Sequence, residues 1–181
     1  GVGLVDEETR LVKIHAIDTN QKNETKNIVG NLKLSGHPVL DEIFESWKLQ
    51  KEYYPVLRGK EIMEYYNVMN PQVSFHEFAD DETQYGYYFY FKEGGVFAWT
   101  DKELQKQDLQ IFRRYTSVLS LTYRRYIDLK DAEAQAREAQ IEAALEKVRS
   151  RSMAMHSSHE FVDASDVMFD QLKKLEIETL R

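Results

Sequence analysis

Five histidines and no cysteine limit what this 181-residue chain can do with its side chains. Without cysteine there is no disulfide, thiolate metal ligand, thiol nucleophile or thioether-linked cofactor. The sharpest candidate is His159, which Glu160 follows directly. A carboxylate beside an imidazole can act as its general base, so His159 is a candidate phosphate acceptor. The same residues also suit a helix start, with Ser157 as N-cap and Glu160 closing a capping box. That reading is preferred, and it leaves His159 solvated. His156 and His159 lie three apart and could meet a metal on one helical face, but no carboxylate pattern supports a site. His15, His37 and His76 show no ligand spacing. Gly94-Gly95 reads as a hairpin turn and no Lys-Ser/Thr follows it, so there is no phosphate loop. No Ser/His/Asp arrangement stands out. The chain is therefore expected to be non-catalytic, with no metal and no cofactor.

One further cluster could bind rather than react. Tyr85 to Phe91, with Phe97 and Trp99, is dense in aromatic side chains and could line a pocket. The preferred expectation is plainer: core on one face and a wet row of tyrosines on the other.

These residues need elements to place them. Gly3–Val5 and Leu11–Ile17 flank the polar stretch Asp6 to Arg10, a hairpin signal. Val12, Ile14 and Ala16 alternate with Lys13 and His15, so one face is buried. The polar stretch 20–31 reads as a loop. Pro38 suits a first helical turn, and Leu40, Ile43, Phe44 and Trp47 give that helix an apolar face. Ile62 to Met69 reads as a second, short helix. Tyr87–Phe91 and Val96–Trp99 flank Lys92-Glu93-Gly94-Gly95, the clearest hairpin in the chain, with glycine supplying the turn.

Thr100 and Glu103 fit a capping box that opens one long helix over 101–153, roughly 80 Å at 1.5 Å per residue. Phe112, Tyr115, Leu119, Thr122, Tyr126 and Leu129 form a heptad stripe. Ala134, Ile141, Val148 and Met155 form a second at intervals of seven, with Leu145 between. The two are out of phase near 129–134, which implies a change of supercoil. A helix this long needs its apolar face covered. The narrow seam Ala134, Ile141, Leu145, Val148 and Met155 suits a parallel homodimer. The alternative is a last helix folded back in the same chain. Phe161, Ala164, Val167 or Met168, Phe169, Leu172 and Leu175 mark that last helix.

Charge narrows the function classes. The net charge is −7. Residues 1–100 hold 10 basic and 16 acidic side chains, and residues 101–181 hold 14 and 15. Neither half has the basic excess that a phosphate backbone requires, so no nucleic-acid partner is expected. No apolar run reaches the roughly 20 residues of a membrane helix. The lack of cysteine fits a reducing, cytoplasmic compartment.

Several segments carry a resemblance. Leu121-Thr122-Tyr123-Arg124-Arg125-Tyr126-Ile127-Asp128-Leu129, Ala132 to Ala139, Ile141 to Arg149 and Met153-Ala154-Met155-His156 resemble the inter-domain helix of bacterial multidomain sensor histidine kinases of two-component signalling. Such proteins carry GAF-like sensory domains on either side of that helix. His37-Pro38, Glu45-Ser46-Trp47-Lys48, Tyr53-Tyr54 and Gly59-Lys60-Glu61 fall where such a domain has its helix and following loop.

The resemblance implies an α+β fold: a GAF-like antiparallel sheet with flanking helices, a long dimeric coiled-coil helix and a short terminal helix. It implies a GAF-like sensory domain over 1–110, a signalling helix over 101–155 and the truncated first helix of a following domain over 157–181. The helix that normally precedes the first strand is missing, which leaves one side of the sheet uncovered unless a partner chain covers it. The implied role is a sensory and signal-relay segment acting on a downstream domain of the same chain, with an unidentified small-molecule ligand. The alternative is the phospho-accepting dimerisation segment of a histidine kinase, with His159 as acceptor. There the basic residue and proline usual in such kinases give way to Val162-Asp163-Ala164-Ser165.

Overall fold

The computed structural model describes residues 1–19, 24–75, 83–157 and 160–175. The chain divides into two compact units, Gly1–Thr122 and Tyr123–Arg181. Together they are α+β, with six strands and four helices among the described residues.

The first unit is built on one antiparallel sheet: β1 (Val2–Asp6), β2 (Leu11–Thr19), β3 (Thr25–Lys33), β4 (Val56–Arg58), β5 (Thr83–Phe91) and β6 (Gly94–Thr100). The spatial order is β3-β2-β1-β6-β5-β4. β1 and β2 form the expected hairpin, and Arg10 turns it with a φ of 56°. The loop expected over 20–31 is corrected over 25–31, while 20–23 lie outside the described residues. β3 pairs along all of β2, from Thr19↔Thr25 to Leu11↔Lys33. It reads as polar because it is an edge strand that buries only Ile28 and Leu32. The face opposite is open, with Ile17 68% and Val29 64% exposed.

Two helices cover the inner face of the sheet. α1 (Pro38–Lys48) starts where proline predicts. Its cap is the His37 ring, whose Nδ1 accepts the Val39 N–H at 3.1 Å. α1 buries Leu40, Ile43, Phe44 and Trp47, and the Trp47 indole donates to the Phe91 carbonyl at 3.2 Å. α2 (Lys60–Met69) buries Ile62, Tyr65, Tyr66 and Met69. These side chains join Val12, Ile14, Ile28 and Leu32 in one core. Arg10 fastens the β1–β2 hairpin to α1, with its guanidinium 4.2 Å over the Phe44 ring and an ion pair to Asp41.

α3 runs from Lys106 to Met153, 48 residues. The capping box expected at Thr100 and Glu103 is absent, because Thr100 still belongs to β6 and its hydroxyl donates to the Lys102 carbonyl. Asp108 closes the first turn instead, accepting the Gln105 N–H at 3.1 Å. The start of α3 lies on the outer face of the sheet, where the Phe112 and Phe89 rings stack at 5.5 Å and 3°. Arg113 grips Glu52 through two hydrogen bonds of 2.7 and 2.8 Å.

In the second unit α4 (Phe161–Lys174) doubles back along α3. Arg151 pairs with Asp163, and Arg137 reaches the Leu175 carbonyl 12 residues further along α4. As the α3 partner moves toward the N-terminus the α4 partner moves toward the C-terminus, so the two helices are antiparallel. Ala144, Ala164 and Gln171 are buried there. The capping box expected at Ser157 and Glu160 is corrected: the N-cap of α4 is Glu160, without a side-chain cap hydrogen bond, and its carboxylate instead accepts the Ser157 hydroxyl at 3.1 Å and the His156 N–H at 3.3 Å. Among the described residues no helix is long and apolar enough to cross a membrane.

Candidate functional site

A cavity of about 60 Å³ lies between the inner face of the sheet and the helices α1 and α2. Its origin can be read from register. Gly30, Ile14, Gly3, Gly95 and Tyr90 are successive cross-strand neighbours over β3, β2, β1, β6 and β5. Side chains in one such row share a face. Three of these five are glycine, so the row is bare backbone over most of its length. Val73 fills the place above Gly30, where an added Cβ would come within 2.6 Å of its Cγ1. An added Cβ would come within 2.6 Å of the Val12 Cγ2 at Gly3, and within 2.9 Å of the Phe89 carbonyl oxygen and 3.0 Å of the Tyr90 ring at Gly95, so neighbouring atoms close over both glycines at the cavity wall.

The walls are aromatic. β5 contributes Tyr88 and Tyr90, β6 contributes Phe97 and Trp99, and α2 contributes Tyr65 and Tyr66. The Tyr88 ring stacks on Phe97 at 5.8 Å, and Tyr65 tilts against Trp99 at 5.3 Å. The Trp99 indole N–H donates to the Tyr88 hydroxyl at 2.9 Å, and the Tyr65 and Tyr88 hydroxyls lie 3.4 Å apart. Tyr90 differs, because its hydroxyl oxygen is buried with no hydrogen-bond partner among the described residues. An orphan of this kind is rare in a folded interior.

Electrostatically the site is neutral. None of the lining side chains carries a charge. Burial pushes the Tyr88 phenol up to about 12, and burial likewise raises Tyr65 and Tyr90. All three stay protonated at neutral pH, so the cavity offers hydroxyl groups and π-faces.

The wet tyrosine row expected along β5 is therefore corrected, since the strand is buried on both sides. Tyr88 and Tyr90 face the cavity, while Tyr87 and Phe89 face the start of α3 and are 4% and 1% exposed. The Tyr87 hydroxyl accepts the Leu104 N–H at 2.8 Å. The tight turn is corrected too. Phe91 pairs with Gly94, so Lys92-Glu93 alone make the loop and both glycines lie in β6. Gly94 is required for close approach, because a Cβ there would collide with the Gly3 carbonyl oxygen. Sequence reasoning misses Tyr65, Tyr66, Gly3 and Gly95 as site residues. Their signal is register, which composition does not carry.

The seam residues of α3 fall in two groups. Ile141 and Val148 are half-buried on the side of α3 that holds Ala144, while Ala134 and Leu145 are exposed; the seam expected to run on to Met155 is corrected, because α3 ends at Met153 and Met155 lies beyond it. Tyr115, Tyr126 and Leu129 of the first stripe are 65%, 50% and 58% exposed, so only Phe112 of that stripe meets the sheet closely. His159, the candidate phosphate acceptor, lies outside the described residues. Among the described residues no group of three or more histidines and carboxylates is placed to hold a metal ion.

A second, open groove lies between the outer face of β1 and β2 and the start of α3, lined by Val2, His15, Ile17, Phe112, Tyr115 and Leu119. It marks the uncovered side of the sheet. Compared with protein-family models, curated proteins and solved structures, the chain matches none of them.

Proposed function

We propose that this chain is a non-catalytic sensory and signal-relay segment of a bacterial signalling protein, with a GAF-like domain whose cavity takes a small molecule. One observation carries the reading: β5 has the cavity on one side and the start of α3 on the other. Side chains of a strand alternate between faces, so a ligand that moves Tyr88 or Tyr90 also moves Tyr87 and Phe89. Those two hold Leu104 and Phe112. Displacement in the pocket thereby reaches the helix that leaves the domain.

The relay would end in a choice of partners for one helix face. Ile141, Ala144 and Val148 share a side of α3, along which α4 folds back within a single chain. The same side is the seam suited to a parallel second copy. Both cannot occupy it at once, which makes it a two-state element of the kind a signal can bias. The lack of cysteine in the sequence fits work in the cytoplasm.

Cysteines engineered singly at Leu145 and Val148 test this reading. A parallel in-register pair of full chains crosslinks at both positions under mild oxidation. A fixed hairpin leaves Val148 shielded and uncrosslinked. A monomer by light scattering at all concentrations sinks the relay.

A further inference from the structure

The two edges of the sheet differ. β4 ends it with three residues on one side, whereas β3 lays nine along the other. We infer that the β3 edge pairs antiparallel with β3 of a second copy, about a two-fold axis at Val29, and so joins two sheets into one.

Backbone direction is the first support. In an antiparallel ladder alternate residues turn both N–H and C=O to the same side. Just past β3 the Leu34 N–H donates to the Arg10 carbonyl, so the even-numbered residues of this strand face β2. Odd-numbered residues face outward, and the Lys33 N–H accordingly leaves the ladder for the Gln72 side chain at 2.8 Å. The outward groups of Asn27, Val29 and Asn31 meet no backbone partner among the described residues. Such an edge is a template for another strand.

The devices that usually blunt an edge are missing from its middle. Asn27 to Asn31 holds no proline and no charge, and the lysines, Lys26 and Lys33, stand outside it. Asn27, Val29 and Asn31 share the open outer face, and all three are exposed. Val29 is 64% exposed, with His15 opposite it on β2 and Ile17, 68% exposed, on the diagonal. A β-branched apolar side chain gains little from water there, and gains a neighbour when a strand is added.

The order of side chains selects the occupant. About Val29, valine meets valine, Asn27 meets Asn31 of the second copy, and Lys33 meets Thr25 of the second copy. Apolar lies beside apolar and amide beside amide, and no like charges are opposed. A slip of one residue sets the outer face of one copy level with the inner face of the other, and in one direction it opposes Lys26 to Lys33. A two-fold interface requires a patch that fits itself, and this strand has that property at one register.

The test uses full chains. The sequence has no cysteine, so engineered ones report alone. At the axis the Cα atoms of a hydrogen-bonded pair lie about 5.5 Å apart, within disulfide reach. Val29→Cys is therefore expected to form a disulfide dimer under mild oxidation. Asn27→Cys and Asn31→Cys each stand roughly 13 Å from the same position in the second copy, four residues along the strand. Each alone should not crosslink, and the two mixed should crosslink to each other. Val29→Lys added to the mixed pair opposes two ammonium groups and should slow their crosslinking about fivefold or more. Its melting temperature should not change, because the position is exposed.

No crosslinking of Val29→Cys at any concentration overturns the proposal. Crosslinking of Asn27→Cys alone as fast as the mixed pair also overturns it, as does a mixed rate that Val29→Lys leaves unchanged. These readouts are separate from crosslinking at Leu145, which reports on α3.

Discussion

The two units bury their surfaces in opposite ways. Gly1–Thr122 packs both faces of β5 and buries large side chains completely, among them Tyr65, Phe89, Leu34, Leu40 and Ile62. Among the described residues of Tyr123–Arg181, two alanines and a glutamine are buried. Its large apolar side chains stay out, with Phe161 63%, Val162 60%, Leu145 52% and Phe169 52% exposed. Burial stabilises in proportion to the apolar area removed from water. The first unit therefore carries its own stability, and the second holds together with little buried apolar area and a few polar contacts, such as Arg151 to Asp163 and Arg137 to the Leu175 carbonyl. A stable receiver and a marginal output would suit the relay proposed above.

The contrast can be broken at its strong end. Phe89→Ala removes a ring that is 1% exposed and stacked on Phe112. We expect a loss of about 3–5 kcal/mol. Both tryptophans, Trp47 and Trp99, lie in the first unit, so urea unfolding followed by fluorescence reports that unit alone. A midpoint that does not move would show that α3 does not dock there in solution.

Ala144→Leu probes the weaker unit. If α4 occupies that face, the added side chain overpacks a buried alanine and costs about 1–3 kcal/mol. Faster hydrogen exchange in α4 is the expected readout. If a second copy holds the face instead, a leucine there is accommodated at the seam, and sedimentation shows tighter self-association with no change in α4 exchange.

His37→Ala removes the cap of α1 and should cost about 1 kcal/mol. The cap also makes the first unit sensitive to pH. Burial lowers the His37 pKa from its ordinary 6.5. Above that value the ring is neutral in both folded and unfolded chains and the contribution is complete. As pH falls through it, the unfolded chain takes up the proton first, and stability is lost until the folded value is passed. His37→Asn keeps a capping acceptor and should flatten the thermal stability profile over this window.

The smallest effect is expected at the Arg113–Glu52 pair, whose side chains are 45% and 34% exposed. Such pairs contribute about 0.2–1 kcal/mol and weaken in salt. The hydrogen bond from Arg113 lowers the Glu52 pKa. Its contribution is therefore present above the ordinary carboxylate value and fades as pH falls through the folded one. Glu52→Gln should remove that acid-side dependence. It should also raise the crosslinking rate at Leu145 only if this pair helps tie α3 to the sheet.

Much was determined by the sequence itself. The alternation of Val12, Ile14 and Ala16 placed β2, Pro38 started α1, and the long run without glycine or proline foretold α3. These are local signals, set by steric preference and by the period of apolar residues. The position and contents of the cavity were not local. Gly94 and Gly95 carry the composition of a turn, and only pairing with β1 reveals them as strand residues of β6, with Gly95 beside Gly3 at the cavity. β3 was hidden for the same reason, since its polar side chains say loop until β2 lies beside it. The face of α3 that bears Ile141 and Val148 was legible as apolar from its spacing. Which body covers it was not, because α4 and a second copy offer the same kind of surface, and only packing in three dimensions chooses between them.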